Sequence, residues 1–564
     1  MTSLSHVHSP SDIPLQDETL GQCFDRVTEL HAGREAVVFL AQGVRWTYAR
    51  LREEVDRVAA GLLRLGLRPG DRVGIWSPNR FEWILTQFAT AKVGLIQVNI
   101  NPAYRAAELA HALVSVGCRA LVCAPRFKNS DYLGIVRELA PELAGSRPGQ
   151  LCAARLPGLQ MVIPLDDASG SVDTTGCIPF AELRQPCAAE ELAAMQTVAA
   201  GCRPDDPINI QFTSGTTGLP KGATLSHFNI LNNALIVGRQ IRFGPDETLC
   251  LALPLYHCFG MVLGSLMVLA NGARIVYPGE SFDPGTALAA IGSEACTAFY
   301  GVPTMFIAAL EHPDFDSTDL ASLRTGIMGG APCPEAVMRR VMTDMHIPEI
   351  TIAFGMTETS PASFQTSADD SLARRVSTVG TLLPHAEARI ADAEGHPLPR
   401  GTPGEVLVRG YLVMKGYWGD DAATATAIDA DGWMHTGDIG VLDDTGYLSV
   451  VGRIKDVVIR GGENIFPREV EEFLFGHEAV EQVAVFGVPD ERMGEELCAW
   501  IRLREGRVVS EAEIRAYCQE RIARFKIPRY IRFVETFPMT VTGKIQKFVM
   551  RKEMAEALKP PASA

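Results

Sequence analysis

Thr213-Ser214-Gly215-Thr216-Thr217-Gly218-Leu219-Pro220-Lys221-Gly222 is the stretch on which the reading of this chain turns. It gathers four hydroxyls, three glycines and one lysine. Glycine opens backbone conformations closed to other residues and lets N–H groups approach a ligand. Clustered N–H donors, hydroxyls and a single ammonium suit a chain of phosphates. The spacing is not that of a P-loop NTPase, which needs G-x-x-x-x-G-K followed by Ser or Thr. A solvated linker is the plain alternative. Against it, Ile208–Phe212 reads as a buried strand, and Ser226 as the N-cap of an apolar-periodic helix running to Ile241. The loop is therefore expected between a strand and a helix.

Outward from the loop, strands and helices alternate. Leu51, Val55, Val58, Ala59, Leu62 and Leu63 fall on one face of a helix. Asp71–Trp76, Leu95–Ile100, Ala120–Cys123, Arg274–Tyr277 and Ala298–Tyr300 are short apolar or β-branched runs of the kind buried in an α/β sheet. Gly145–Glu190 holds one clear strand, Gln160–Pro164, and otherwise reads as a variable surface excursion. Glycine-punctuated β segments dominate Gly401–Val451. Beyond Arg453, Pro467–Phe475 reads as a helix and Val483–Gly487 as a strand. Ser510-x-x-Glu513 is a capping box opening a helix that ends near Arg524. The fold class is α/β: a large N-terminal domain of several α/β sheets with a β-rich part, then a small α+β domain.

Further motifs follow the loop in order: Phe354-Gly355-Met356-Thr357-Glu358, His435-Thr436-Gly437-Asp438, Gly452-Arg453-Ile454-Lys455-Asp456 and Thr542-Gly543-Lys544. With Thr213–Gly222 they resemble the signatures of the adenylate-forming enzymes, which include acyl- and aryl-CoA synthetases, peptide-synthetase adenylation domains and beetle luciferases. The resemblance spans nearly the whole chain and is nearest to bacterial fatty acyl-CoA synthetases. It implies an N-terminal domain of residues 1–454 and a mobile C-terminal domain of residues 455–564, hinged at Lys455.

What the resemblance implies for the site matches what the residue types can do. Thr213, Ser214, Gly215, Thr216, Thr217, Gly218 and Lys221 hold phosphates. Lys544 bridges the substrate carboxylate and the α-phosphate, where an ammonium stabilises shared charge in the transition state. Glu358 is the Mg²⁺ ligand, one carboxylate beside phosphate oxygens being a usual way to hold that ion. Thr357 bonds the α-phosphate. Gly330, Ala331 and Pro332, in Gly329-Gly330-Ala331-Pro332, lie on the adenine side with Phe354 and Gly355. The family usually has tyrosine where this chain has Phe354, so stacking is kept and one hydrogen bond is lost. Asp438 takes the ribose hydroxyls, and Arg453 completes the ribose or phosphate contacts.

The acid side is carried by Pro254-Leu255-Tyr256-His257-Cys258-Phe259-Gly260, where His257 either orients the carboxylate or packs at the pocket mouth. Amino-acid-activating relatives carry an aspartate in this segment to pair the substrate amine. None appears here, which disfavours an amino acid. Gly260, Met261, Gly326, Ile327, Val379 and Gly380 suit either an aliphatic chain or ordinary core. Gly461 and Gly462 resemble the loop lining a CoA tunnel, which calls for rotation about Lys455 between the two half-reactions.

The 564 residues carry a net charge of −15. Nucleic acid and anionic membranes, which need basic surfaces, are poor partners for such a chain. Thirteen scattered cysteines without C-x-x-C spacing fit a reducing cytoplasm better than a disulfide or zinc framework. No apolar stretch approaches the length of a membrane span, and a homo-oligomer is left open. The expected activity is an acid–CoA ligase. ATP and Mg²⁺ activate a small-molecule carboxylic acid, a medium-chain fatty acid for choice, to acyl-AMP, and CoA then displaces AMP. An aryl acid, or a carrier protein loaded in trans, is the alternative. A luciferase-like oxygenase shares the first step, and a nucleotide-binding scaffold would lack Lys544 or Glu358, both present.

Overall fold

The computed structural model describes residues 3–166, 172–213, 220–331, 333–519, 521–540 and 545–558. Two largely parallel sheets form the body. A seven-stranded sheet runs, in spatial order, Gly416–Tyr417, Lys221–Ser226, Pro207–Thr213, Ile96–Asn99, Arg72–Trp76, Ala120–Cys123, Met161–Pro164. A nine-stranded sheet has Thr248–Leu251, Ala298–Gly301, Thr325–Gly329 and Glu349–Gly355 at its parallel centre. These strands are apolar because helices cover both faces. One cover is the helix Tyr48–Arg64, which presents buried Leu51, Val55, Val58, Ala59 and Leu62. Thr213, Gly330 and the Thr357-Glu358 pair sit at or just beyond the carboxyl ends of the strands Pro207–Thr213, Thr325–Gly329 and Glu349–Gly355, where ligands of open α/β sheets gather.

A five-stranded sheet completes the larger body, in the order His6–Ser9, Ala386–Ala391, Gly404–Gly410, Met434–Leu442, Leu448–Arg453. Its first strand comes from the start of the chain and pairs His6 with Arg389. Beyond it, Val458–Arg460, Glu463–Ile465, Val480–Asp490, Gly494–Leu503 and Tyr530–Phe533 build a separate sheet, covered by the helices Pro467–Phe475, Glu511–Cys518 and Lys547–Ala557. The main hydrophobic core draws on residues from Leu20 to Leu448, whereas the clusters of the small sheet begin at Val458. Lys455 lies between them in the single turn Ile454–Asp456.

Three expectations change. The segment after the phosphate loop is a strand and not yet a helix. Lys221–Ser226 returns antiparallel to Pro207–Thr213, with Lys221 opposite Thr213, before Ser226 caps the helix His227–Gln240. Gly145–Glu190 is more than a surface excursion. Met161–Pro164 is an edge strand, Leu151, Leu156, Ile178, Phe180 and Leu183 are buried, and a Cβ on Gly61 would lie 2.6 Å from the Leu183 carbonyl oxygen. The helix after Ser510 stops at Cys518, because Ile522 and Phe525 turn inward to pack on the small domain's core.

Candidate active site

Glu358 lies in the short turn Thr357–Thr359 that follows the strand Glu349–Gly355, and it is 5% exposed. Two hydroxyls hold it. Thr213 Oγ1 and Tyr417 Oη each donate to Glu358 Oε1 at 2.9 Å. Thr213 ends one stem of the phosphate loop. Lys221 begins the other, its Nζ 5.2 Å from the Tyr417 ring centroid. Burial and the Glu358 carboxylate push the Tyr417 phenol up, so it stays a donor. Gly355 has to be glycine here: a Cβ would sit 1.9 Å from the Pro361 carbonyl oxygen.

The acid-side histidine reaches the same turn through one side chain. Cys258 Sγ lies 3.5 Å from Thr357 Oγ1 and 3.8 Å from His257 Nδ1. Burial pushes the Cys258 thiol up to about 12, so it keeps its proton. The Phe259 N–H donates to His257 Nδ1 at 3.1 Å. An acceptor Nδ1 places the proton of the neutral ring on Nε2.

Beneath His257, four buried amides pair across two parallel strands, Asn209 beside Gln97 and Gln211 beside Asn99. Asn99 Oδ1 accepts from Gln97 Nε2 at 2.8 Å and Asn209 Nδ2 at 3.0 Å. Its Nδ2 is left to donate to the Tyr256 carbonyl at 3.0 Å, bracing the residue next to His257.

Asp438 and Arg453 face one another across neighbouring strands. Arg453 Nε donates to Asp438 Oδ1 at 2.9 Å, and Asp438 is 4% exposed. Glu405 braces this motif. It accepts from the Gly437 N–H at 3.1 Å and lies 2.9 Å from His435 Nδ1. Lys455 follows, its ammonium pKa lowered by burial and by the nearby Arg453 charge.

Gly330 adopts φ +78°, in the left-handed region, beside Val302, and Ala331 is exposed. Phe354 packs against Phe364, with ring centroids 6.3 Å apart. Gly461 and Gly462 form the exposed turn between Val458–Arg460 and Glu463–Ile465, and the Gly461 N–H donates to the Met493 carbonyl at 2.8 Å. Ser214, Gly215, Thr216, Thr217, Gly218, Pro332 and Lys544 lie outside the described residues. Of the small residues weighed as pocket lining, Gly326 and Gly380 are required by backbone packing: a Cβ would lie 2.3 Å from the Phe299 oxygen and 2.0 Å from the Gln365 carbonyl, respectively. Tyr417, Glu405 and Asn99 stand in no sequence motif, since each acts on a residue that only the fold brings close. Cys258 lies inside the acid-side motif, but its contact with Thr357, 99 positions away, is visible only in the fold.

The chain is similar to known proteins over nearly its whole length. Residues 24–418 match the family profile described as AMP-binding enzyme, and residues 469–544 match that of the AMP-binding enzyme C-terminal domain. The chain is 45% identical over 557 residues to the medium-chain acyl-CoA ligase ACSF2, mitochondrial, of Danio rerio, covering 98% of this chain and 91% of that one. It is 44% identical to the putative acyl-CoA synthetase YngI of Bacillus subtilis, over 95% and 97% of the two chains. The crystal structure of ATP-bound MatB from Rhodopseudomonas palustris superposes with a TM-score of 0.79 at 28% identity, covering 96% of this chain and all of that one. The family profile covers most of the chain and these relatives align with it over nearly its whole length: the chain belongs to the AMP-binding enzyme family.

Proposed function

We propose that this protein is an AMP-forming acid–CoA ligase acting on a medium-chain fatty acid. One observation carries the reading. Consecutive residues Thr357 and Glu358 join the acid side to the phosphate side, Thr357 through Cys258 beside His257, and Glu358 directly to Thr213 at the foot of the phosphate loop. A carboxylate and an α-phosphate brought to that turn meet beside the Thr357 hydroxyl, the His257 imidazole and Thr213. The acid's oxygen attacks the α-phosphorus, the bond to pyrophosphate breaks, and acyl-AMP forms. The CoA sulfur, its proton lost, then attacks the acyl carbon, and AMP departs with the bonding pair.

In this reading the His257 Nε2–H orients the carboxylate, the Thr357 hydroxyl donates to an α-phosphate oxygen, and Asp438 accepts from the ribose hydroxyls. Lys544 neutralises the charge shared between carboxylate and phosphate. Mg²⁺ fits the donor set. Glu358 is a buried carboxylate, and among the described residues no group of three or more His, Cys, Asp or Glu side chains could hold a metal, so phosphate oxygens would complete its shell. Bound there, the ion would offset charge on the departing pyrophosphate. The division at residue 454/455, with rotation about Lys455 bringing Gly461 and Gly462 to the site for the CoA step, belongs to the same proposal. So does a cytoplasmic location, since thirteen free thiols suit a reducing compartment. No helix among the described residues is long and apolar enough to cross a membrane.

The names of the ACSF2 relatives support the chain length. The test is pyrophosphate release and thioester formation from Mg·ATP, with and without CoA, over acetate, octanoate, palmitate, benzoate and phenylalanine. CoA-dependent turnover highest with octanoate is expected. Pyrophosphate release without a thioester from any acid would sink the ligase reading.

A further inference from the structure

Tyr417 ends a two-residue strand, Gly416–Tyr417, that pairs antiparallel with Lys221–Ser226 at the edge of the seven-stranded sheet, Tyr417 standing opposite Ala223. From this edge one side chain meets three parts of the site. Its ring underlies Lys221 at one stem of the phosphate loop, its hydroxyl bonds Glu358, and the acceptor oxygen is shared with Thr213 at the other stem. Both hydroxyls choose Oε1, and among the described residues no hydrogen bond reaches Oε2. The backbone of Glu358 is fixed as well, its carbonyl accepting from the Met414 N–H at 2.9 Å. A buried carboxylate tied by two donors at one oxygen is not free to turn, and it presents the other oxygen in a set direction.

We propose that Tyr417 is a positioning residue for the reaction: its hydroxyl commits Oε1 of Glu358 to the protein, making the carboxylate a one-oxygen ligand for the divalent cation that accompanies ATP. The proposal rests on the ligase reading given above. Outer hydrogen bonds of this kind orient metal-binding carboxylates, and removing one costs about 10- to 100-fold in metal affinity. Tyr417→Phe is the sharp variant, because it keeps the ring against Lys221 and deletes only the donor.

The experiment uses the full-length protein, Mn²⁺ as the spin probe and the α,β-methylene analogue of ATP, with free Mn²⁺ followed by electron paramagnetic resonance. Binding of the same analogue in EDTA is measured alongside. The expected result is Mn²⁺ affinity about 10- to 100-fold weaker in Tyr417→Phe, with metal-free analogue affinity retained. Unchanged Mn²⁺ affinity would overturn the proposal. Equal weakening with and without metal would overturn it too, since that is the mark of a general packing role. A wild-type protein that binds Mn²⁺ and the analogue but forms no thioester with any acid would refute the ligase reading instead, leaving the Tyr417 comparison readable.

Discussion

Lys544 carries the sharpest test at the scale of single residues. Replacing it with alanine is expected to lower pyrophosphate release by about 10²- to 10³-fold, while supplied acyl-AMP and CoA still give thioester. Acyl-AMP formed at the normal rate would refute its role. Asn99→Leu is the second test. It strips the acceptor from Gln97 Nε2 and Asn209 Nδ2 and the donor from the Tyr256 carbonyl. Each stranded buried group costs about 1–3 kcal/mol. The melting temperature should fall, and the KM for the acid should rise more than the KM for ATP, because the brace acts beside His257. An equal rise in both KM values would make Asn99 merely structural. Legibility at this scale followed locality. Thr213, Glu358 and Asp438 stand inside motifs whose chemistry is contiguous in sequence. Tyr417 lies 59 positions from the carboxylate it holds, and Asn99 lies 157 from the carbonyl it braces, so only folding reveals either.

Among elements, the helix His227–Gln240 was readable from its cap. Its first residue holds a feature the sequence concealed. His227 is fully buried, and its Nδ1 accepts from the Leu20 N–H at 3.1 Å, tying the helix to the start of Leu20–Leu30. Burial lowers its pKa from 6.5 to about 4. The unfolded chain therefore takes up the proton first. Stability is complete above pH 6.5 and is lost as pH falls toward about 4, by on the order of 3 kcal/mol. Thermal melts between pH 7 and 4.5 should show the decline, and His227→Gln should flatten it. An unaltered slope in the variant would remove His227 as the cause. The hairpin return Lys221–Ser226 escaped sequence reading for a related reason. Its partners are a strand on one side and Gly416–Tyr417 on the other, nearly two hundred positions away. Gly380, at φ +85° and pressed on the Gln365 backbone, should tolerate no side chain. Gly380→Ala is expected to cost at least about 2 kcal/mol, read as a lower melting temperature.

Across the whole molecule, the large body and the small sheet have separate cores, with Lys455 in the turn between them. Arg468 of the small domain reaches back to donate to the Val450 carbonyl at 2.6 Å, and Gly452 lies against Phe466. Stiffening the joint with Lys455→Pro is expected to slow thioester formation more than adenylation, and equal loss in both half-reactions would argue against alternation. The division into two bodies was visible as a change of sequence texture near Arg453. The contacts between them were not, because interdomain contacts leave no periodic signal. The pairing of His6 with Arg389 has a consequence for biosynthesis. His6–Ser9 leaves the ribosome long before its partner Ala386–Ala391, and the sheet that holds both closes only after Leu448–Arg453 has emerged. Until then a nascent chain carries an unsealed strand edge, a template for misassembly. The strand His6–Ser9 is thus made safe by residues synthesised nearly four hundred positions after it.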